Sequence, residues 1–340
     1  MADWDVLTAS EEFLADLSHK TQENEGRIGG EFGGPGVVKL SPQIAVKLGH
    51  GITASEAATQ DFAHKNLDPS VAYVPKVYRY FRSRSASEYG DELGYLFMEY
   101  IPGQNLKDLD MESLVKLVPR LVNIVTSLGQ ISGLTPGPIG DGIPRGYIYG
   151  DDGAKTRLNS LEEMNVYMNK RLVSYNQFAK LRRGVDCNYH IDLRRYPLVL
   201  CHGDLCRRNI VLRDDGSLCL LDWGFAGFYP RFFEVAALKC ILRPYDKLFQ
   251  GALESATEAM MDLTDEERHD KKLIMYVRTA NLRWSFDGPT KEEHDAFIKN
   301  LERQAGILPK VGFNSPDQVA AGVDKQEEPD SISQPTVKSD

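Results

Sequence analysis

The stretch LCHGDLCRRNIVLRDDGSLCLLDWGFAG (residues 200–227) sets His202, Asp204, Asn209 and Asp222 among Leu200, Ile210, Val211, Leu212, Leu218, Leu220 and Leu221. Runs this apolar belong in a core, where an unpaired carboxylate is costly, so these groups must meet partners there. NIVLRDDGSLCLLDW reads as a hairpin: an apolar strand, a turn at Asp214-Asp215-Gly216-Ser217, and a second apolar strand. Asn209 stands just before one strand and Asp222 just after the other. Closing the hairpin draws an amide carbonyl and a carboxylate together. Two hard oxygen donors suit Mg²⁺, which takes few protein ligands and completes its shell with phosphate and water. Asp204 lies on the preceding loop, five residues ahead of Asn209. It is near the metal but free to act as a base.

Upstream, TASEEFLADLSHK opens on a Thr8–Glu11 capping box and places Phe13, Leu14 and Leu17 on one helical face. GVVKLSPQIAVKLG (36–49) reads as two short strands hinged at Ser41-Pro42, and ITASEAATQDFAHKNL (52–67) has helical composition. YVPKVYRYFRS and GYLFMEYI (94–101) read as further strands, the last ending at Pro102-Gly103. In 110–129 a helical period runs through Leu114, Leu117, Val118, Leu121, Val122, Val125 and Leu128, with a kink or break predicted at Pro119. LTPGPIGDGIPRGYIYGDDG (134–153) follows, nine of its twenty residues Gly or Pro. A loop this long is uncommon in a domain and often functional. A second box, Ser160 with Glu163, restarts a helix, and helices continue past the hairpin to about residue 305. The order is a small sheet first and a larger helical part second, an α+β chain. The boundaries are 1–101 for the first lobe, 102–312 for the second, and 313–340 for an acidic tail too polar to fold.

The 340 residues are 42% hydrophobic and 26% charged, as in ordinary soluble globular proteins. Net charge is −9, of which residues 314–340 carry −4. This is no footprint for nucleic acid, and a mildly acidic body is compatible with a cationic substrate. Five cysteines without a C-x-x-C read as reduced and buried. The N-terminus lacks a basic, apolar leader, and no apolar run approaches the ~18 residues of a membrane span. The expectation is a cytoplasmic protein with no membrane partner, of unknown oligomeric state.

The spacing H-G-D-x-x-x-x-N, followed thirteen residues later by D-W-G, is similar to the catalytic loop and metal-binding aspartate of kinases. CHGDLCRRN with LLDWGFAGFYPRFFEVAAL resembles the aminoglycoside phosphotransferase and choline kinase-like family, fungal members included. IAVKLGHGITASEAATQDF, YVPKVYRYF and LFMEYIPG extend the likeness over about residues 35–300. The resemblance implies a bilobal protein-kinase-like fold, with a small antiparallel-sheet N-lobe and a larger, mainly helical C-lobe. It implies ATP and Mg²⁺ as cofactors and a small-molecule hydroxyl as acceptor. Residue by residue, it makes Asp204 the catalytic base, His202 the holder of the catalytic loop, and Asn209 and Asp222 the metal ligands. Lys47 becomes the phosphate-binding strand lysine, Glu56 its partner, and Glu99 and Ile101 the adenine-facing hinge. Glu56 also fits a capping box, TASE, in which it would satisfy the Thr53 N–H instead.

Three features depart from that pattern. The phosphate loop reads GGEFGGPGVV (29–38), not G-x-G-x-x-G, and there is no Walker-type motif. Cys206 stands where protein kinases place a lysine; Arg207 or Arg208 could supply the positive charge there, but both read first as a solvated face. The run after D-W-G leaves no room for a protein-kinase activation segment. A phosphotransferase acting on a small-molecule alcohol therefore leads, ahead of a nucleotide-binding pseudokinase and a protein kinase. The resemblance places acceptors against the helical lobe and makes the Gly/Pro-rich loop 134–153 a candidate wall. Asp141, Asp151 and Asp152 there could meet a cationic substrate but read first as solvated turn residues; Trp284, in NLRWSF, reads as core.

Overall fold

The computed structural model describes residues 4–30, 34–84, 91–140, 142–241 and 246–283. The tail at 313–340, the helix beyond 283, Asp141 and Trp284 lie outside them. Helix α1 (Glu11–Thr21) leads into strands β1 (Arg27–Gly29), β2 (Gly36–Lys39) and β3 (Ile44–Gly49); helix α2 (Ala54–Asn66) separates these from β4 (Val77–Ser83) and β5 (Leu93–Glu99). All five strands pair antiparallel in the order β1-β2-β3-β5-β4. Alternation along the strands sorts the residues to two faces. Val46, Leu48, Tyr95 and Phe97 pack with Leu14 of α1, whereas Leu96 and Met98 pack with Ile52 and Ala57 at α2. Lys47, between Val46 and Leu48 and opposite Leu96, is thereby sent to the α2 face.

The capping expectation at the N-terminus was off by two residues. Ser10, not Thr8, accepts the Phe13 N–H, while the Thr8 hydroxyl bonds Asp5. The buried face is consequently Leu14, Ala15 and Ser18; Phe13 stays exposed against Trp4.

Beyond the hinge come β6 (Gln104–Asn105), α3 (Met111–Leu128), β7 (Ser132–Gly133), α4 (Leu161–Arg183), β8 (Leu198–Cys201), β9 (Ile210–Leu212), β10 (Leu218–Leu220) and β11 (Gly227–Tyr229). Helices α5 (Phe232–Cys240), α6 (Lys247–Met261) and α7 (Asp265–Arg283) complete the lobe. Helix α3 passes through Pro119 without a break. An interior proline costs about 3 kcal/mol, but Leu114, Val118, Leu121, Val122, Val125 and Leu128 are all buried. Each buried aliphatic side chain contributes about 1.5–3 kcal/mol, so the burial outweighs the penalty.

Strand β8 divides two cores. Its even residues, Leu198 and Leu200, join the core built on α3 and the β9–β10 hairpin; its odd residues, Val199 and Cys201, join the core of α4, α5 and α7. Paired on both sides, to β7 and β11, the strand is held rigidly and delivers the next residues, His202-Gly203-Asp204, to a fixed place. Among its described residues, the segment 134–153 forms no helix or strand. It bridges β11 through Gly137 and Phe228, and the Ile139 N–H bonds Thr59 of α2. All five cysteines are free, and no helix among the described residues is long and apolar enough to cross a membrane.

Trp223 closes the core beneath the hairpin, fully buried, its indole N–H on Leu220 O and its ring 4.8 Å from His202. Trp223→Ala is expected to destabilise the protein by about 3–5 kcal/mol. Calorimetric unfolding measures this as a lowered Tm.

Candidate active site

The hairpin forms as read, with Leu212 opposite Leu218 and Ile210 opposite Leu220. The Leu221 N–H continues the ladder to Asn209 O at 2.8 Å. Asn209 and Asp222 therefore flank the open end of one hairpin. Asp222 takes a left-handed backbone, φ 62°, rare outside glycine. Its Oδ1 accepts Lys47 Nζ at 2.8 Å, and Lys47 also reaches Glu56 Oε1 at 2.6 Å.

This settles the two readings of Glu56. The Thr53 hydroxyl caps the Glu56 N–H, but the Glu56 carboxylate turns to Lys47 rather than to the Thr53 backbone. Burial favours the neutral forms, yet two carboxylates hold the Lys47 ammonium well above its ordinary value. The Glu56 carboxyl is raised by burial, against the pull of Lys47. The Asp222 carboxyl is also pushed up by desolvation, but Lys47 outweighs this and holds it below the usual range.

Asp204 is 4% exposed. Its Oδ2 accepts Asn209 Nδ2 at 2.8 Å and Arg208 Nη2 at 3.0 Å, and its Oδ1 accepts the Tyr147 hydroxyl at 2.9 Å. Burial raises its pKa and the Asp222 charge adds to that, with Arg208, Tyr147 and Asn209 opposing. The expectation of a solvated arginine face is overturned. Arg208 pairs with the Asp204 carboxylate, and Arg207 is bonded to Asp246. Each arginine found a buried carboxylate, which would otherwise lie uncompensated.

His202 is fully buried and burial drives its pKa down to about 4, against the pull of Asp222. The neutral ring accepts the Asp204 N–H at Nδ1, so its proton sits on Nε2 and is donated to Leu221 O at 3.0 Å. His202 thus ties the loop that follows β8 to the residue preceding Asp222. Beneath the loop, Glu234 of α5 accepts the backbone N–H groups of His202 and Gly203 at 2.6 and 3.1 Å. Burial pushes its carboxyl up to about 7, against those two donors.

At the hinge, the Glu99 N–H is engaged by Lys76 O, and its carboxylate accepts the Tyr73 hydroxyl at 2.7 Å. Ile101 packs with Val211 and Cys219 below. The glycine-rich segment spans the β1–β2 connection; Gly30 there has φ 92° and would press a Cβ onto Pro35 O. Asp151 and Asp152 are exposed, Asp152 paired with Lys155, as solvated turn residues are expected to be.

Three residues of this arrangement escaped sequence reasoning. Glu234 carried a usable signal, a lone acid inside the apolar helix FFEVAAL. Arg208 reads first as solvated, and the structure realises its other reading, a positive charge beside the loop. Tyr147 carried no signal beyond its place in the Gly/Pro-rich loop.

Glu234 and His202 titrate in opposite senses. Glu234 has a folded value above its ordinary 4.5, so its ionisation weakens the fold as pH rises through about 4.5–7. The folded value of His202 lies below its ordinary 6.5, so its protonation weakens the fold as pH falls through about 6.5–4. Glu234→Gln removes only the first trend. On acidification from about pH 6.5 to 4.5 the variant is expected to lose about 2 kcal/mol more than the wild type. Denaturant unfolding across that range measures the difference.

A search of curated proteins by sequence found no match. Among solved structures, a thermostable aminoglycoside phosphotransferase APH(4)-Ia variant with AMP-PNP and hygromycin B aligns at 14% identity and a TM-score of 0.46, covering 86% of this chain and 95% of that one. The streptomycin–ATP complex of APH(2″)-IIa aligns at 16% identity and a TM-score of 0.43, covering 81% and 95%. ADP-bound APH(2″)-Ib gives 12% and 0.42, covering 85% and 96%. The sequence profile of the phosphotransferase enzyme family matches residues 47–267, nearly two thirds of the chain, from the buried lysine to α7. The chain belongs to the phosphotransferase enzyme family.

Proposed function

We propose that the protein transfers the γ-phosphoryl group of ATP to a hydroxyl of a small molecule, with Asp204 as base and Mg²⁺ between Asn209 and Asp222. The observation that carries this reading is the convergence of Lys47, Glu56 and Asp222 at one end of the hairpin, with Asp204 tied to Asn209 beside it.

The donor set fits the metal. Asn209 uses its amide hydrogens on Asp204 O and Oδ2, which leaves its carbonyl oxygen, and Asp222 keeps Oδ2 beside the Lys47-bound Oδ1. Bound there, Mg²⁺ would neutralise charge on the transferring phosphates. Among the described residues no cluster of three or more His, Cys, Asp or Glu forms a metal cage, in keeping with an ion that draws most ligands from phosphate and water. Lys47, kept protonated by its carboxylates, supplies a fixed positive charge to the α- and β-phosphates. Glu99 and Ile101 offer backbone groups to the adenine. Asp204, its pKa raised by burial, accepts the proton of the acceptor hydroxyl, while Arg208 and Asn209 hold the carboxylate in place. His202 and Glu234 fix the loop and take no part in proton transfer.

Only residues 225–231 separate the D-W-G glycine from α5, which favours a small acceptor over a protein one. A non-catalytic nucleotide-binding role draws on one observation: both Asp204 oxygens already accept hydrogen bonds. An ATP- and Mg²⁺-dependent thermal shift without phosphate release or transfer would support that role.

Asp204→Asn is expected to retain ATP binding while turnover falls by roughly 10²–10⁴-fold, the usual contribution of a general base. Asp222→Ala is expected to abolish the Mg²⁺-dependent part of nucleotide binding. Coupled ATP-consumption assays over a metabolite library, with calorimetric nucleotide titrations, measure both. Full activity in Asp204→Asn would refute the assignment.

A further inference from the structure

Gly51 stands in the turn between β3, which carries Lys47, and α2, which carries Glu56. The path of this turn sets how strand and helix bring those two groups together at 2.6 Å. The turn is held from the other lobe. Arg145, in the irregular segment 134–153, donates Nη1 to Gly51 O at 2.7 Å. Its charge also reaches Glu56: burial raises the Glu56 carboxyl, and Arg145 joins Lys47 in drawing it back.

The same segment grips α2 itself. The Ile139 N–H donates to Thr59 Oγ1 at 3.0 Å, and that hydroxyl donates in turn to Ser55 O at 2.7 Å. Gly142 lies so close to Ser55 that a Cβ would sit 2.3 Å from its hydroxyl oxygen. Nearer its start the segment is fixed to the C-terminal lobe, since Gly137 and Phe228 of β11 exchange backbone bonds of 3.0 and 2.8 Å. The segment therefore spans from β11 to the helix that bears Glu56.

Beyond Gly146 the segment turns to the other half of the site. The Tyr147 hydroxyl donates to Asp204 Oδ1 at 2.9 Å. Gly146 has φ 107°, a backbone that side chains rarely adopt, and a Cβ there would press to 3.1 Å from the Phe225 ring. The Tyr147 ring meets the same Phe225 edge-on at 5.6 Å. Phe225 follows the D-W-G glycine, so these contacts brace the segment against the chain that carries Asp222. Arg145 and Tyr147 are both only partly buried, and each spends its polar end on the site rather than on a core.

We propose that Arg145, Gly146 and Tyr147 form a positioning clamp. Arg145 holds the turn from which Lys47 and Glu56 depart, Tyr147 holds the Asp204 carboxylate, and the glycine between them fixes the spacing of the two. Both side chains are positioning residues that act through others. The assignment rests on the phosphotransferase reading above and adds what registers the phosphate-holding lysine against the base. Transfer in line needs that registration, since a misplacement of about 1 Å can cost ~10²-fold in rate.

The test compares Arg145→Met and Tyr147→Phe with the wild type, each as the full chain. Arg145→Met keeps the apolar stem and removes the bond to Gly51 O. It is expected to weaken Mg²⁺–AMP-PNP binding roughly two- to tenfold by calorimetry, the effect of one lost hydrogen bond. It is also expected to speed amide hydrogen exchange over residues 53–59 while α4 exchanges as in the wild type. Tyr147→Phe is expected to leave AMP-PNP affinity and α2 exchange unchanged. It speeds exchange over residues 202–206 instead and, in ATP-consumption assays, lowers kcat with KM for ATP level. Three results would overturn the clamp. One is wild-type affinity and exchange in Arg145→Met, and another is a raised KM for ATP in Tyr147→Phe. The third is a lowered Tm with protection lost throughout both variants, as a merely structural contact would give. Absence of AMP-PNP binding and ATP consumption in the wild type counts against phosphoryl transfer, and the two exchange patterns then decide the clamp by themselves.

Discussion

One buried ammonium joins the two lobes. Lys47 leaves the N-terminal sheet, meets Glu56 of α2 at 2.6 Å, and meets Asp222 of the C-terminal hairpin at 2.8 Å. Lys47 and Glu56 are buried and neither is stable alone at such depth, whereas Asp222 meets them from the partly exposed side of the cleft. Removing one partner from a buried pair typically costs about 3–5 kcal/mol, because a charge is then left uncompensated. Much of the surrounding architecture follows from that constraint. Strand β3 must turn Lys47 away from the α1 face, α2 must begin where Glu56 reaches back, and Asp222 must accept a left-handed backbone to aim its carboxylate.

The second constraint is the placement of Asp204. Strand β8 sends alternate residues into two separate cores, so it can neither slide nor rotate without exposing one set. The loop it delivers is fastened at three points: Glu234 beneath, Leu221 through His202, and Asn209 across the turn. A carboxylate held this way has little freedom left to lose, and positioning is most of what phosphoryl transfer asks of a protein. Gly203 fits there because its φ of 76° and its close approach to the Phe225 carbonyl oxygen leave no room for a side chain.

Much of this was legible in the residues because its signals are local. The β9–β10 hairpin is written as two apolar runs around Asp-Asp-Gly-Ser, and its closure necessarily brings Asn209 and Asp222 together. The period-2 pattern of IAVKLG puts Lys47 opposite Val46 and Leu48 whatever the rest of the chain does. Local signals also misled. Thr8–Glu11 is a capping box by spelling, but Ser10 starts the helix, and Pro119 reads as a break that a long buried face overrides. Arg208 was unreadable for another reason: its partner is set by the three-dimensional path of the loop, and an arginine beside another arginine looks solvated.

The sequence by itself determined a small sheet preceding a helical part and the hairpin with its oxygen donors, since each depends on periodicity or on spacings of a few residues; Lys47 was named only through the family resemblance. Only the tertiary structure decided whether Glu56 capped its helix or paired with Lys47, because both options satisfy the same local geometry and the burial of Lys47 breaks the tie. Only it placed Tyr147 on Asp204, 57 residues away in the chain. Contacts of that range are fixed by the packing of β8, β11 and α5 against an irregular loop, and an irregular loop has no period from which to read where its side chains point.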